Sequence, residues 1–172
     1  MPFTVAILIL SDLSSRGQRE DLSGPTIRDL VQQGGGKVLR SLVLPDERAE
    51  IARTLASWAD EGVIDVIITT GGTGLSPRDV TPEATKEVIE REVPGIAEVI
   101  RIESLKKTPM AMFSRAIAGI RKQTLIVNLP GSPKAVQECL EVLLPVLPHA
   151  VETLRASVQE HPQGGTSNSP RG

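Results

Sequence analysis

Apolar positions in this chain fall into two rhythms. Val5–Leu10 is an unbroken aliphatic run, the pattern of a central parallel strand covered on both faces, and Thr124–Leu129 reads as another buried strand. Val38–Leu44, interrupted by Arg40 and Ser41, and Val63–Ile68, interrupted by Asp65, are predicted strands of the same kind, with Ala116–Ile120 as a shorter one. Between the strands the period lengthens to that of a helix. One helix is predicted from Ser23-Gly24-Pro25 to about Gln33, ended by Gly34–Gly36. A second runs from about Glu47 to Asp60, with Ile51, Leu55, Trp58 and Ala59 on one apolar stripe and Asp46 placed to cap it. A third opens at Thr81-Pro82, Thr81 as the cap and proline at the first helical position. It carries Ala84, Val88 and Ile89 inward and Lys86, Glu87, Glu90 and Arg91 outward until Pro94-Gly95 breaks it. Further helices are predicted from Ile96 to about Leu105, through Val136, Leu140, Leu143 and Leu144 to Pro145, and from Pro148 to about Leu154.

Strands alternating with helices imply an α/β fold in three layers, a mostly parallel sheet with helices on both faces. Right-handed crossovers then bring the strand ends at Ser11, Gly71 and Asn128 to one edge, where open α/β sheets bind ligands. Residues 1–157 are expected to form one domain. From Val158 the composition turns to Q-E-H-P-Q-G-G-T-S-N-S-P-R-G, too polar to bury its own surface, so 158–172 is expected to be a disordered tail.

Composition narrows the function. A net charge of -2 and an aromatic content of 2%, with no tyrosine, leave neither a basic footprint nor stacking platforms for nucleic acid. The single cysteine, Cys139, permits no internal disulfide and no thiol metal cluster. The N-terminal M-P-F-T-V-A-I-L-I-L lacks a positively charged lead, and no apolar run has the length of a membrane span, so a cytoplasmic protein is expected.

The candidate chemistry gathers at the strand ends. After Val63–Ile68 come Thr69, Thr70, Gly71, Gly72, Thr73 and Gly74, and three glycines in four positions can turn successive N–H groups into one concavity suited to an anion; a mere tight turn is the alternative. Arg78 and Asp79 follow. The loop lacks the G-K-[ST] ending of a Walker A loop and the third glycine of a dinucleotide fingerprint. A second glycine loop, Asn128–Lys134, enters a helix at its N-terminus. Cys139 sits mid-helix, His149 near the last helix and His161 in the tail, none with a partner for nucleophilic catalysis. What remains is carboxylates (Asp12, Asp46, Asp79), hydroxyls (Ser11, Thr70, Thr73, Ser114, Ser132) and cations (Arg78, Arg115, Lys134). That inventory suits magnesium-assisted phosphoryl or nucleotidyl transfer, which needs positioning and charge neutralisation and no histidine base. For Asp46 a helix cap, and for Asp79 a salt bridge to Arg78, are the competing structural roles.

T-T-G-G-T-G-x-x-x-R-D-V-T-P-E-A-T at Thr69–Thr85 resembles the signature of the molybdenum-cofactor biosynthesis family of MogA and MoaB, shared with the G domains of gephyrin. L-P-D-E at Leu44–Glu47, S-R-x-x-x-G-I-R at Ser114–Arg121, N-L-P-G-S-P-K at Asn128–Lys134 and L-P-V-L-P-H-A at Leu144–Ala150 extend the resemblance over about residues 4–155. It implies an α/β fold, usually a homotrimer, that binds molybdopterin. Its MogA-type members adenylylate molybdopterin with ATP and magnesium, giving adenylyl-molybdopterin and pyrophosphate, with a molybdenum insertase as the implied partner. By match of motif, Asp46 and Asp79 are the implied catalytic carboxylates and magnesium ligands. The implied ligand-binding positions are Gly71, Gly72, Thr73, Gly74, Ser114, Arg115, Pro130, Gly131 and Ser132, with Ser11, Asp12, Thr70 and Arg78 of the adjoining loops beside them. Many members read S-D-R in the first loop where this chain has Ser11-Asp12-Leu13, so Arg16 or Arg19 is the expected substitute cation. A MoaB-like paralogue with little transferase activity, a trimeric scaffold module and a nucleotide pyrophosphatase are the alternative readings.

Overall fold

The computed structural model describes residues 2–159. Six strands make one sheet: β1 (Thr4–Leu10), β2 (Lys37–Leu44), β3 (Val66–Thr70), β4 (Arg91–Glu92), β5 (Ala118–Arg121) and β6 (Thr124–Leu129), in the spatial order β2-β1-β3-β6-β5-β4. The pairs β1–β2, β1–β3 and β3–β6 are parallel, whereas β5 and β4 add on antiparallel. The helices are α1 (Asp12–Ser15), α2 (Ser23–Gln33), α3 (Arg48–Asp60), α4 (Thr81–Val88), α5 (Pro94–Leu105), α6 (Pro133–Leu143) and α7 (Leu147–Gln159), with 3-10 turns at Pro109–Phe113 and Leu144–Val146.

Strand pleating sends alternate side chains to opposite faces, and β1 shows the result. Val5, Ile7 and Ile9 pack with Ile27 and Val31 of α2, Val136 and Leu140 of α6 and Val151 of α7, while Ala6, Leu8 and Leu10 pack with Ile51, Leu55 and Trp58 of α3 and Ala84 and Val88 of α4. Two cores, one on each face, make the three expected layers. Truncating a fully buried member such as Leu55 or Leu140 to alanine would cost about 2–5 kcal/mol.

Several local expectations need correction. The third helix ends at Val88, not beyond Arg91, because Ile89 is extended and the chain turns to pair with β5: Glu90 N–H donates to Ile120 O at 2.8 Å and Val93 N–H to Ala118 O at 2.9 Å. The strand expected at Val63–Ile68 begins at Val66, since the Asp65 carboxylate is committed to the backbone N–H (2.7 Å) and hydroxyl (2.9 Å) of Thr4. The polar stretch after Ser11 is helical over Asp12–Ser15, capped by Ser11 Oγ accepting from Ser14 N–H at 3.1 Å. The last helix reaches Gln159, past Leu154 and into the start of the expected tail; residues 160–172, with His161, lie outside the described residues.

Candidate functional site

The sheet order reverses direction between β1 and β3, and the carboxyl ends of β1, β3 and β6 open there into a cleft of about 360 Å³. Ser11, Asp46, Thr70, Gly71, Gly72, Asp79, Gly131 and Ser132 line it. Two backbone features shape its floor. Gly71 and Gly72 have φ of +97° and +67°, values that glycine adopts without strain. A Cβ on Gly71 would collide with Leu10 O, and one on Gly72 with the Thr81 hydroxyl while coming within 3.0 Å of Asp46 Oδ1. Thr81 is therefore not the cap of α4; it is the first helical residue, and its hydroxyl donates to Gly71 O at 2.9 Å, pinning the glycine turn.

Asp46 does not cap α3 either. Its Oδ2 accepts from Asp12 N–H at 3.1 Å, and its own N–H donates to Asp12 Oδ1 at 3.0 Å, so the two residues clasp each other reciprocally. That clasp leaves Asp46 Oδ1 buried with no hydrogen-bond partner. Burial, reinforced by the charges of Asp12 and Asp79 and opposed by the Asp12 hydrogen bond, pushes the Asp46 carboxyl above its usual range. Asp12 behaves oppositely. Arg78 donates to both of its oxygens, at 3.0 and 2.9 Å, and against the effect of burial holds the carboxyl down at about 2. Arg78 also reaches Glu47 at 2.9 Å. The salt bridge between Arg78 and Asp79 considered above is thus replaced by longer-range pairs, and Asp79 Oδ2 accepts from Ser76 N–H at 3.2 Å.

A second cavity, of about 270 Å³, adjoins the later half of the glycine loop, at Thr73 and Gly74. It is a mostly apolar groove walled by α5, the Pro109–Phe113 turn and α6, and it receives Thr73, Gly74, Ser114 and Pro130 together with Ile100, Ser104, Met110, Ala111, Phe113, Ala135, Glu138 and Cys139. The Cys139 thiol is buried there, which pushes it up and makes it a packing group rather than a nucleophile.

The expected site residues therefore divide between two cavities that share one loop. Asp12, Arg78 and Arg115 line neither. Among the hydroxyls, Thr70 donates to Pro130 O at 2.7 Å, which joins the two glycine loops. Those of Ser11, Ser114 and Ser132 act only as acceptors in the hydrogen bonds to Ser14, Ala116 and Ala135, so their O–H groups can still donate outward. Of the two candidate substitute cations, Arg19 lines the polar cleft and Arg16 does not.

Sequence reasoning missed Ser14, Glu20, Asp21 and Ser23 as cleft residues. Asp21 carried a signal: it lies three residues before Gly24, whose N–H it accepts at 3.0 Å at the start of α2. Ser23 carried none, because its contact, a hydrogen bond to Gly131 O at 2.6 Å, joins residues remote in sequence. Among the described residues no group of three or more His, Cys, Asp and Glu could hold a metal ion, and no helix is long and apolar enough to cross a membrane.

Comparison with known proteins agrees with this architecture. The model of the probable molybdopterin binding domain matches residues 6–149. The chain is 43% identical over 155 residues to the molybdopterin adenylyltransferase of Helicobacter pylori, covering 87% of this chain and 86% of that protein. It is 44% identical to the Drosophila melanogaster molybdenum cofactor synthesis protein cinnamon, of which it spans only 25% while 88% of this chain is matched. The crystal structure of the molybdopterin biosynthesis enzyme MoaB of Thermus thermophilus superposes with a TM-score of 0.84 at 51% identity, over 90% of this chain and 97% of that one. By matched length and by fold, the chain belongs to the family of probable molybdopterin-binding domains of molybdenum cofactor biosynthesis.

Proposed function

We propose that the protein is a molybdopterin adenylyltransferase that transfers the adenylyl group of ATP to the terminal phosphate of molybdopterin, releasing pyrophosphate. The relatives named for that activity support the reaction class. The observation that carries the reading at this chain's own residues is the pair of adjoining cavities on one glycine loop, one polar and rich in carboxylates, the other apolar. The polar cleft suits the triphosphate and the apolar groove a flat pterin, with the phosphate of one substrate and the α-phosphate of the other meeting at the loop between them.

In the reaction a molybdopterin phosphate oxygen forms a bond to the α-phosphorus of ATP, and the bond from that phosphorus to the pyrophosphate oxygen breaks. The attacking phosphate is already anionic, which suits a site without a histidine base. Backbone N–H groups of the glycine turn after Gly71, whose own N–H donates to Leu129 O, the O–H groups of Ser11 and Ser132 and the Arg19 guanidinium are the donors available to hold phosphate oxygens. Thr70, by bonding Pro130 O, keeps the two loops in register.

The donor set fits magnesium. Asp46 Oδ1 is buried and unpartnered, and burial, reinforced by the neighbouring Asp12 and Asp79 charges, already disfavours a bare Asp46 carboxylate. Asp46 and Asp79 would hold the ion, whose other ligands would be phosphate oxygens and water, as magnesium prefers. Bound there, it would neutralise triphosphate charge in a cleft lined by more carboxylates than cations. Family membership alone supports the remaining parts of the reading, a cytoplasmic homotrimer that passes its product to a molybdenum insertase.

A product assay tests the proposal: purified protein with molybdopterin, ATP and magnesium, and separation of the products. Adenylyl-molybdopterin and pyrophosphate are expected. Pterin binding without nucleotide turnover would mean a binding paralogue or scaffold, and ATP consumption without a pterin adduct would mean a pyrophosphatase.

A further inference from the structure

We infer that Arg115 is a positioning residue that sets the Asp79 backbone through the glycine loop, and not a ligand for substrate phosphate; the inference rests on the adenylyl-transfer reading above. Arg115 lines neither cavity, and all three of its guanidinium nitrogens are engaged by the protein. Nε donates to Gly74 O at 2.7 Å, Nη2 donates to Asp79 O at 2.7 Å, and Nη1 is paired with Glu83 of α4. The backbone N–H of the same residue donates to Thr73 O at 2.9 Å.

These contacts bracket one feature, the exposed segment Leu75–Arg78 that connects the glycine turn to Asp79. That segment has few ties of its own, chiefly the Ser76–Asp79 turn and the reach of Arg78 to Asp12 and Glu47. Arg115 closes it from behind by holding both of its ends and the first turn of α4. Arg115 is itself anchored, since Arg101 Nη1 of α5 donates to Ser114 O at 3.3 Å and to Ala116 O at 2.8 Å. Burial pushes the Glu83 carboxyl up, but the Arg115 hydrogen bond, a backbone N–H and the charges of Arg115 and Arg48 together keep it below its usual range, so the brace is charged on both sides. A planar fork with nitrogens at fixed angles can meet three oxygens in different directions, whereas a lysine ammonium on a flexible stem cannot hold the same three.

Full-length Arg115→Lys and Glu83→Gln proteins test the assignment through three readouts: equilibrium binding of magnesium-ATP without pterin, kcat with molybdopterin, and amide hydrogen exchange of residues 74–79. A brace predicts that Arg115→Lys lowers kcat about 100-fold, as displacement of a reacting group does, with ATP affinity within about twofold of wild type and faster exchange over residues 74–79. Glu83→Gln keeps an oxygen for Nη1 and should lower kcat about threefold to tenfold with ATP binding unchanged. A phosphate ligand predicts the reverse: charge-preserving Arg115→Lys keeps kcat within about threefold, and Glu83→Gln tightens ATP by freeing the guanidinium. Either result overturns the inference, and the Glu83→Gln arm decides it should Arg115→Lys fail to fold. Absence of adenylyl-molybdopterin from the wild-type protein would instead remove the reaction assignment; unchanged exchange in Arg115→Lys would remove the brace regardless of turnover.

Discussion

The two cavities take different halves of Gly71–Gly74, and they are built from different materials. The cleft on the Gly71–Gly72 side is made of strand ends and helix starts, with Asp46 and Asp79 exposed to one another's charge and Asp46 left one hydrogen bond short. The groove on the Thr73–Gly74 side is made of helix flanks, with Met110 and Phe113 at its rim and Cys139 in its wall. A buried carboxylate oxygen without a partner is a cost to folding, and an apolar groove open to water is another. The fold tolerates both within one loop's length, which is what a site assembled for two dissimilar substrates requires. Rigidity is supplied from outside the cavities: Asp12 holds Asp46, and Arg115 holds the loop.

This contrast can be broken from either side. The largest effect is expected from Asp79→Asn, which should reduce turnover by about 100- to 1,000-fold while leaving molybdopterin affinity near wild type, as measured by product formation and by pterin fluorescence titration. Gly72→Ala should come next. Its Cβ would displace Thr81 and press on Asp46 at a positive φ, so thermal melting should show a loss of about 1–3 kcal/mol together with impaired nucleotide binding. On the other side, Ala135→Leu narrows the groove and should weaken pterin about tenfold with magnesium-ATP affinity unchanged; equal losses for both ligands would erase the distinction between the cavities.

The smallest effect concerns pH and stability. The folded Asp46 carboxyl titrates above its unfolded value, so its favourable contribution exists below about pH 4 and is lost as pH rises through the folded value. Asp46→Asn should therefore raise Tm at neutral pH, and the gain should vanish in acid. Asp12, held at about 2, contributes in the opposite sense: its stabilisation is present at neutral pH and is lost as pH falls from the ordinary carboxyl range toward about 2. Melting curves from pH 3 to 8 on wild type, Asp46→Asn and Asp12→Asn would separate the two.

Much of the cleft was legible in the chain because its signals are local. A buried strand followed by three glycines in four positions marks a loop at a strand end, and L-P-D-E and R-D-V-T-P each carry their carboxylate within a few residues of a helix start. What the residues meet was not legible. The Arg78–Asp12 pair spans 66 positions and the Arg115–Gly74 bond 41, so Arg115 read as a free cation and Arg78 as one or as a partner of adjacent Asp79 until folding supplied their actual partners. Asp46 and Thr81 read as helix caps for the same reason: either type caps helices in isolation, yet each hydrogen-bonds across a cleft wall instead. The two-residue β4 depends on β5 rather than on its own composition. The apolar groove was invisible because its wall residues are ordinary helix-flank hydrophobics whose spacing says nothing of what faces them.

The most direct measurement is adenylyl transfer and molybdopterin binding determined side by side on wild type, Asp46→Asn and Asp79→Asn. Turnover to adenylyl-molybdopterin and pyrophosphate should collapse in both variants while pterin dissociation constants stay within about twofold of wild type. Near-normal turnover in both variants, or a pterin affinity that falls in step with turnover, would contradict a carboxylate cleft that serves the triphosphate beside a separate groove for the pterin.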